Sequence, residues 1–403
     1  MTGVGISVSL IFLIAGAIIV LGFFGSFLFE RTRIPDVLIL MAVGVVLGPV
    51  SGLFTMNAMS HFAEYFGAFA LMVILFEGGM DMDLEMLVKE FGTASALVTI
   101  SFVLSVAAIA GFFFFFQHWD GVRSLLFGTI LGCTSSAIIM PIISRMSLKD
   151  DARVILSVES ALSDVLSVVC TISLIEFVKF EKVGIETPFK AIASAFSIAV
   201  VAGAACGFLW LKIAQLLQGR KYFYMLTLAY ILIVFAVVDI LGGSGPIAVL
   251  LTGIVLGNEK HFSRYLKVKK ASLVDDTVKF FHGEITFFIR TFFFVYIGTM
   301  MDFSVIDGRF LLISLLLLFI VLAVRYISTE ILCLFFRDKK EIKFIIFSMM
   351  PRGLASAILA MLPMTINMKD SAKFISYTFA IIVLTNVVMS TGIFFSERRY
   401  RID

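Results

Sequence analysis

The chain has 403 residues, of which 60 % are apolar, 44 are phenylalanine and only 15 % are charged. Soluble domains carry about 25 % charged residues, so the composition is that of a polytopic, all-α membrane protein and excludes a soluble globular domain. The net charge of +3 says little about partners, because in such a chain the placement of charge matters more than its sum.

Apolar runs separated by charged or turn-rich joints give thirteen expected spans, at about 5–29, 36–56, 61–81, 93–116, 122–144, 152–177, 188–211, 222–240, 244–257, 278–300, 309–336, 342–364 and 373–396. The first has no basic region before it and reads as a retained span rather than a cleaved signal. The ninth is short and glycine-rich. The last ends near Ser396 with ERRYRID behind it, so no attached soluble domain is expected. Cys133, Cys170, Cys206 and Cys333 lie singly in apolar segments. Their spacing fits neither a disulfide framework nor a metal site, and packing is their expected role.

Charge placement supports the weave. With the N-terminus outside, inner joints hold 22 Lys and Arg and outer ones 7. The other three, Arg290, Arg325 and Arg352, fall within spans. Such a bias puts the C-terminus in the cytoplasm and the protein in the cell membrane. The inner joint from Asn258 to Lys279 is basic and interrupted by apolar residues, which fits either an amphipathic helix on the inner leaflet or a solvated connector.

The chain repeats itself. IPDVLILMAVGVVLGP (Ile34–Pro49) in the second span is echoed by GPIAVLLTGIVLGN (Gly245–Asn258) in the ninth. FEGGMDMDL (Phe76–Leu84) ends the third as YIGTMMDF (Tyr296–Phe303) ends the tenth. Both echoes are seven spans apart, an odd number, so the halves enter the membrane in opposite directions. Spans 1–6 and 8–13 are then inverted six-helix repeats joined by span 7. This architecture puts the binding site near the midplane on interrupted helices at matching positions. Span 5 holds GCTSSAIIMP (Gly132–Pro141) and span 12 holds SMMPRGLASAILAMLP (Ser348–Pro363), each with Pro, Gly and small polar residues at depth. A broken helix frees carbonyls that can replace the water around an ion. Two kinked, tightly packed helices are the plainer alternative.

Span 6, RVILSVESALSDVLSVVCT (Arg153–Thr171), carries two acids at membrane depth. Ser157, Ser160, Asp164, Ser167 and Thr171 are spaced 3, 4, 3, 4 and share one helix face, with Ser163 beside it. Glu159 lies about 140° round the helix from Asp164. A seam joining two helices explains the hydroxyls. It does not explain two acids, which at such depth are costly and mark function. The other deep acids are Glu77 and Asp239; Glu176 and Asp302 sit nearer span ends. A buried arginine stays charged and needs a partner. If Glu159 and Glu77 take arginines, Asp164 is left to titrate. Such a carboxylate can hold a proton or a metal cation in turn, and that competition is a sufficient mechanism for exchange. Gly242-Gly243-Ser244-Gly245 fits a serine-protease-like string, but the nearest histidines, His261 and His282, fall at or beyond span ends; a tight joint is the simpler reading, and no enzyme is expected. His61 and His118 sit at outer joints.

ESALSD (Glu159–Asp164) resembles the ExxxND motif of the monovalent cation:proton antiporter superfamily. RIPDVLILMAVGVVLGP (Arg33–Pro49), LFEGGMDMD (Leu75–Asp83), RTFFFVYIG (Arg290–Gly298), AVRYIS (Ala323–Ser328) and PRGLASAILA (Pro351–Ala360) are similar to the family in the same order. The resemblance implies that Asp164 binds ion and proton and that Glu159 pairs with Arg325. It puts Arg352 in the second broken helix and Glu77 on the ion pathway. Thr134, Ser135, Ser160 and Ser163 would form or flank the site, with Thr134 and Ser160 beside Asp164 as ligands of the monovalent cation. Two positions depart from the family. Ser163 replaces the motif's asparagine, and Thr134-Ser135-Ser136 replaces Thr-Asp-Pro, as in the serine-rich potassium-efflux branch. Ser135 would then offer a hydroxyl where the family offers a carboxylate.

The resemblance further implies a homodimer in lipid, with no cofactor and no nucleic-acid partner. By this reading 1–116 holds the first scaffold part and the start of the core, 117–178 the ion-binding core helices, 179–221 the linker span, 222–300 the second scaffold part and 301–403 the second core part. The core slides past the scaffold to alternate access. The expected function is antiport of Na+, with K+ or Li+ as alternatives, against H+ for pH homeostasis. One carboxylate at the motif implies electroneutral exchange. A cation channel or an organic-anion symporter on a similar plan is the alternative.

Overall fold

The computed structural model describes residues 8–32, 35–53, 56–82, 84, 91–146, 148, 150–180, 186–217, 220, 222–266, 276–301, 303 and 306–400. Arg33, Asp83 and Asp302, the side chain of His61, and 267–275 of the basic joint lie outside the described residues.

In a hydrocarbon layer every backbone N–H and C=O must be satisfied within the protein, and apolar runs of this length do so as helices. The described elements are all helical. They are α1 (Val8–Thr32), α2 (Asp36–Val45, closed by a π turn over Val46–Val50), α3 (Met56–Asp81), α4 (Phe91–Phe116), α5 (Gly121–Leu131), α6 (Ser136–Arg145), α7 (Asp150–Phe180), α8 (Glu186–Leu217), α9 (Phe223–Ile240), α10 (Gly245–Gly257), α11 (Glu259–Leu266), α12 (Asp276–Thr299), α13 (Gly308–Phe335), α14 (Lys343–Ser348), α15 (Leu354–Leu359), α16 (Leu362–Thr365) and α17 (Ser371–Tyr400). Each of the thirteen expected segments contains helix. Among the described residues, nine stretches are long and apolar enough to cross a membrane, and Asp36–Val50, Gly245–Gly257 and Leu354–Thr365 are shorter apolar helices. Expected spans 5 and 12 are each divided, as α5/α6 and as α14/α15/α16. The inner joint from Asn258 to Lys279, for which a helix and a connector were both expected, opens with the short helix α11.

The chain divides into two compact units. One comprises Met1–Tyr65, Gly92–Thr171 and Phe288–Asp403, the other Phe66–Phe91 and Ile172–Phe287. Each contains one copy of the same close helix crossing. In the first unit, α2 lies directly on the end of α12. A Cβ built at Gly44 would collide with the Val295 carbonyl and stand 2.8 Å from Gly298 Cα, and one at Gly48 would stand 2.6 Å from Thr299 Cα. In the second unit, α10 lies on α3 in the same way. A Cβ at Gly253 would collide with the Phe76 carbonyl and stand 3.3 Å from Gly79 Cα, and one at Gly257 would collide with Met80. Only glycine lets backbones approach so closely, which is the packing device of the G-x-x-x-G pattern. Gly44 and Gly48 thus match Gly253 and Gly257, as the sequence echo implies. Val295, Gly298 and Thr299 match Phe76, Gly79 and Met80, one residue out of step with aligning FEGG on YIGT.

Arg290, an arginine within a span that needs a partner, pairs with Asp36 at 2.8 Å, and Ser26 Oγ donates to the same carboxylate oxygen at 3.2 Å. Asp36 opens α2, so it stood at a span boundary and outside the inventory of deep acids. His282, near the start of the apolar stretch Phe280–Thr299, is 1 % exposed within α12 and edge-on to Phe76. Ser244 opens α10 after a turn in which Gly242 takes φ +77°, consistent with the tight joint.

In the first unit, Phe113, Trp119, Phe127, Phe374 and Tyr377 form an aromatic cluster, with Phe113 4.5 Å from Trp119 and 4.7 Å from Phe127. Beside it Asp120 caps α5 by accepting from the Arg123 N–H at 2.9 Å, and Arg123 reaches Asp370 at 3.0 Å. This contact ties the start of the first divided span to the start of α17.

Candidate functional site

The first unit brings two helix breaks together. After α5 the chain is extended through Cys133–Ser135, with Ser135 at φ −80°, ψ 112°, before α6 begins. After α14 it is extended through Met349–Gly353 before α15 begins. The two extended stretches hydrogen-bond to each other: the Ser135 N–H donates to the Pro351 carbonyl at 2.9 Å. Gly353 allows this approach, since a Cβ there would collide with Ser135 Oγ. Cys133 Sγ and Ser356 Oγ meet at 3.4 Å alongside.

The continuous helix α7 holds the first break in place. Ser163 Oγ accepts from the Thr134 N–H at 3.1 Å, and its hydroxyl hydrogen can reach the carbonyls of Thr134 (3.1 Å) and Ser160 (3.0 Å). Thr134 Oγ1 sits 3.0 Å from Ser163 Oγ. Further along the stripe, Ser167 donates to the Thr129 carbonyl at 2.7 Å and Thr171 to Thr129 Oγ1 at 3.0 Å. Ser167 and Thr171 therefore form a seam onto α5, and Ser163 holds the break that follows it. Ser160, an expected cation ligand, is fully buried and donates to its own helix at the Ser157 carbonyl, 3.1 Å away.

Asp164 does something different. Its Oδ2 accepts from the Ser136 N–H at 3.0 Å and from Ser136 Oγ at 2.6 Å. The carboxylate thus caps the start of α6, where free N–H groups and the helix dipole favour negative charge. Oδ1 is buried and has no hydrogen-bond partner. Ser136 was absent from the expected site. The TSS string hid which serine would turn inward; the extended residue before α6 sends Ser135 toward Gly353 and Ser136 toward Asp164.

Glu159 faces the other way and meets Arg325 of α13 in a bidentate pair, 2.6 Å from Nη1 to Oε1 and 2.9 Å from Nη2 to Oε2. The side chains are 1 % and 3 % exposed. Arg325 Nε also donates to the Ile346 carbonyl at 2.9 Å and Nη2 to the Met349 carbonyl at 2.8 Å. Those carbonyls are among the ones α14 leaves unmet where it breaks. One guanidinium therefore joins α7, α13 and the second break.

Arg352 lies in that break, 3 % exposed. Its Nη1 donates to the Met350 carbonyl at 3.3 Å, Nε has no partner, and Asp164 and Glu159 are within its electrostatic reach. Its backbone is held by α17: the Arg352 N–H donates to Thr385 Oγ1 at 3.1 Å, and Asn386 Nδ2 donates to the Arg352 carbonyl at 2.9 Å. Thr385 and Asn386 were missed in the sequence, where they read as ordinary polar residues of the last span. Glu77 lies in the second unit, on α3, with Gly283 of α12 beside its carboxylate. Groups of three or more His, Cys, Asp or Glu side chains of the kind that bind a metal do not occur among the described residues.

Fold and site together define a multi-pass membrane protein with a carboxylate at the meeting of two broken helices. The chain belongs to the sodium/hydrogen exchanger family, whose transmembrane model matches residues 5–396. It is 27 % identical over 267 residues to a K+/H+ antiporter of Shewanella oneidensis, a match covering 64 % of this chain and 46 % of that protein. It is 24 % identical over 306 residues to Na+/H+ antiporter 1 of Methanocaldococcus jannaschii, covering 73 % and 70 %. The matched region is thus about half the length of the first relative. A solved structure of a sodium proton antiporter from M. jannaschii shares the fold with a TM-score of 0.80 at 22 % identity, covering 94 % of this chain and 95 % of that one.

Proposed function

We propose that this protein is a secondary antiporter that exchanges a monovalent cation for a proton at Asp164. The observation that carries the reading is the unequal treatment of the two carboxylate oxygens: Oδ2 is held by Ser136, while Oδ1 is buried with no partner. A buried acceptor without a donor is costly, and either a proton or a cation at Oδ1 relieves it. The two cannot occupy that oxygen together, so loading one displaces the other. Glu159, neutralised by Arg325, keeps the frame fixed while Asp164 changes charge. Ser163 and Thr134 hold the first break beside Asp164, and carbonyls freed by the two breaks would supply further oxygen atoms to a cation.

Relatives named for Na+ and for K+ both support a monovalent cation; Na+ is our first choice, with K+ and Li+ as alternatives. The single titrating carboxylate supports one-for-one, electroneutral exchange. Homodimer formation and a sliding core, with the N-terminus outside and the C-terminus in the cytoplasm, complete the proposal. The test is pH-gradient dissipation in proteoliposomes challenged with Na+, K+ and Li+, with and without a voltage clamp. Asp164→Asn should abolish cation-dependent proton movement while the protein stays folded. Exchange at the wild-type rate in that variant overturns the assignment; unitary currents, or anion-dependent uptake without proton movement, would replace antiport with a channel or a symporter.

A further inference from the structure

Resting on that reading, we propose that Ser136 is a positioning residue that makes Asp164 a one-oxygen seat for the cation. Its N–H and Oγ–H both converge on Oδ2, at 3.0 Å and 2.6 Å. Two donors on one oxygen orient the carboxylate about its last torsion, so Oδ1 alone faces the cargo. They also draw charge away from the carboxylate. Hydrogen bonds to an ionised acceptor are short and strong, and a carboxylate that accepts them attracts a cation less. Ser136 therefore limits how tightly the cation is held, which favours its release.

The other polar groups near Asp164 are placed differently. The Cys133 thiol, a weak donor, lies within side-chain hydrogen-bonding reach of the carboxylate, and Arg352 acts on it only by charge. Cys133 Sγ is in contact with Ser356, and Arg352 Nη1 with the Met350 carbonyl. Ser163 is engaged with Thr134 and Ser160, and Ser135 faces Gly353. The Ser136 hydroxyl is the side-chain donor on Asp164 that the hydrogen-bond geometry identifies.

The test compares Ser136→Ala and Ser136→Thr in proteoliposomes with Na+, K+ and Li+ in turn, at alkaline pH where proton competition is weakest. Alanine keeps the N–H donor and removes the hydroxyl. The expected result is an apparent KM about three- to tenfold lower for the transported cation, a share of one charge-assisted hydrogen bond, with slower maximal exchange as release becomes limiting. Threonine restores both values. Unchanged KM with reduced maximal rate in alanine means a structural role only and overturns the inference, as does a raised KM or a failure of threonine to rescue. Should alanine not fold, Ser136→Cys, a weaker donor of nearly the same size, must lower KM in the same sense, and its failure to do so also overturns the inference. Asp164→Asn, run alongside, separates the two claims. If it exchanges normally, the site reading fails. If it is dead while Ser136→Ala matches wild type, only the role of Ser136 fails.

Discussion

The Glu159–Arg325 pair is the sharpest test of how the site is held. Replacing Glu159 with Ala removes two charge-assisted contacts of 2.6 and 2.9 Å and leaves a guanidinium 3 % exposed without its counter-charge. Breaking a buried pair from one side costs about 3–5 kcal/mol, because the remaining charge is stranded. Arg325 keeps its bonds to the Ile346 and Met349 carbonyls, which places the loss at the lower end of that range. In a chain of this size about 1–2 °C of Tm corresponds to each kcal/mol, by extension from smaller domains, so a fall of roughly 3–6 °C is expected. The assay is thermal unfolding of the purified protein in one detergent, with single and double variants compared. Arg325→Met alone should cost at least as much, since it strands Glu159 and also frees the α14 carbonyls. The double variant Glu159→Leu, Arg325→Met should be less damaged than the sum of the singles, because replacing both charges with apolar groups removes the stranded ion. An unchanged Tm in Glu159→Ala, or strictly additive losses, would refute the argument that this pair holds α7, α13 and the second break together.

Two further outcomes follow from the packing and the outer ion pairs. Gly44→Val forces a side chain into the Val295 carbonyl and should cut the yield of folded protein sharply, whereas Gly16→Ala, with nothing within 4 Å of the added carbon, should be silent; equal yields by detergent gel filtration would contradict the close crossing. Asp370 is held below the usual carboxylate range by its hydrogen bond to Lys373 and, against the opposing effect of burial, by the charges of Lys373 and Arg123. Its contribution is therefore complete above the unfolded value near 4 and lost as pH falls through the lower folded value. Asp370→Asn should lower Tm at neutral pH and narrow its difference from wild type at acid pH, and a gap that widens on acidification would reverse the sign.

Much of the fold was legible because helix periodicity and lipid solvation leave few choices. The 3, 4, 3, 4 spacing from Ser157 to Thr171 had to form one face, and Ser167 and Thr171 join α7 to α5 across it. The glycine echoes had to mark close approaches, because only glycine permits them. Other features were not readable from spacing. Whether Ser135 or Ser136 reaches Asp164 depends on one extended residue ahead of α6, which shifts the helical face. Ser160 satisfied its hydroxyl on its own helix, a choice open to any serine in a helix. Arg290 found Asp36, 254 residues away in sequence, and no local pattern ties the two.

The inverted repeat gives the two breaks similar partners that differ in charge. In the first break, Ser163 accepts from the Thr134 N–H and the next residue, Asp164, caps α6. In the second, Thr385 accepts from the Arg352 N–H and the next residue, Asn386, donates to the Arg352 carbonyl. Asp164 and Asn386 therefore occupy equivalent posts, and each keeps one buried oxygen without a partner. The halves differ in charge: in one an acid, Asp164, meets neutral Ser136, in the other a neutral amide, Asn386, meets Arg352. An amide cannot titrate and Arg352 remains protonated at any working pH. Of the two posts only Asp164 carries a titratable group, with the Arg352 guanidinium in the other break, and the exchange proposed at Asp164 would use that asymmetry.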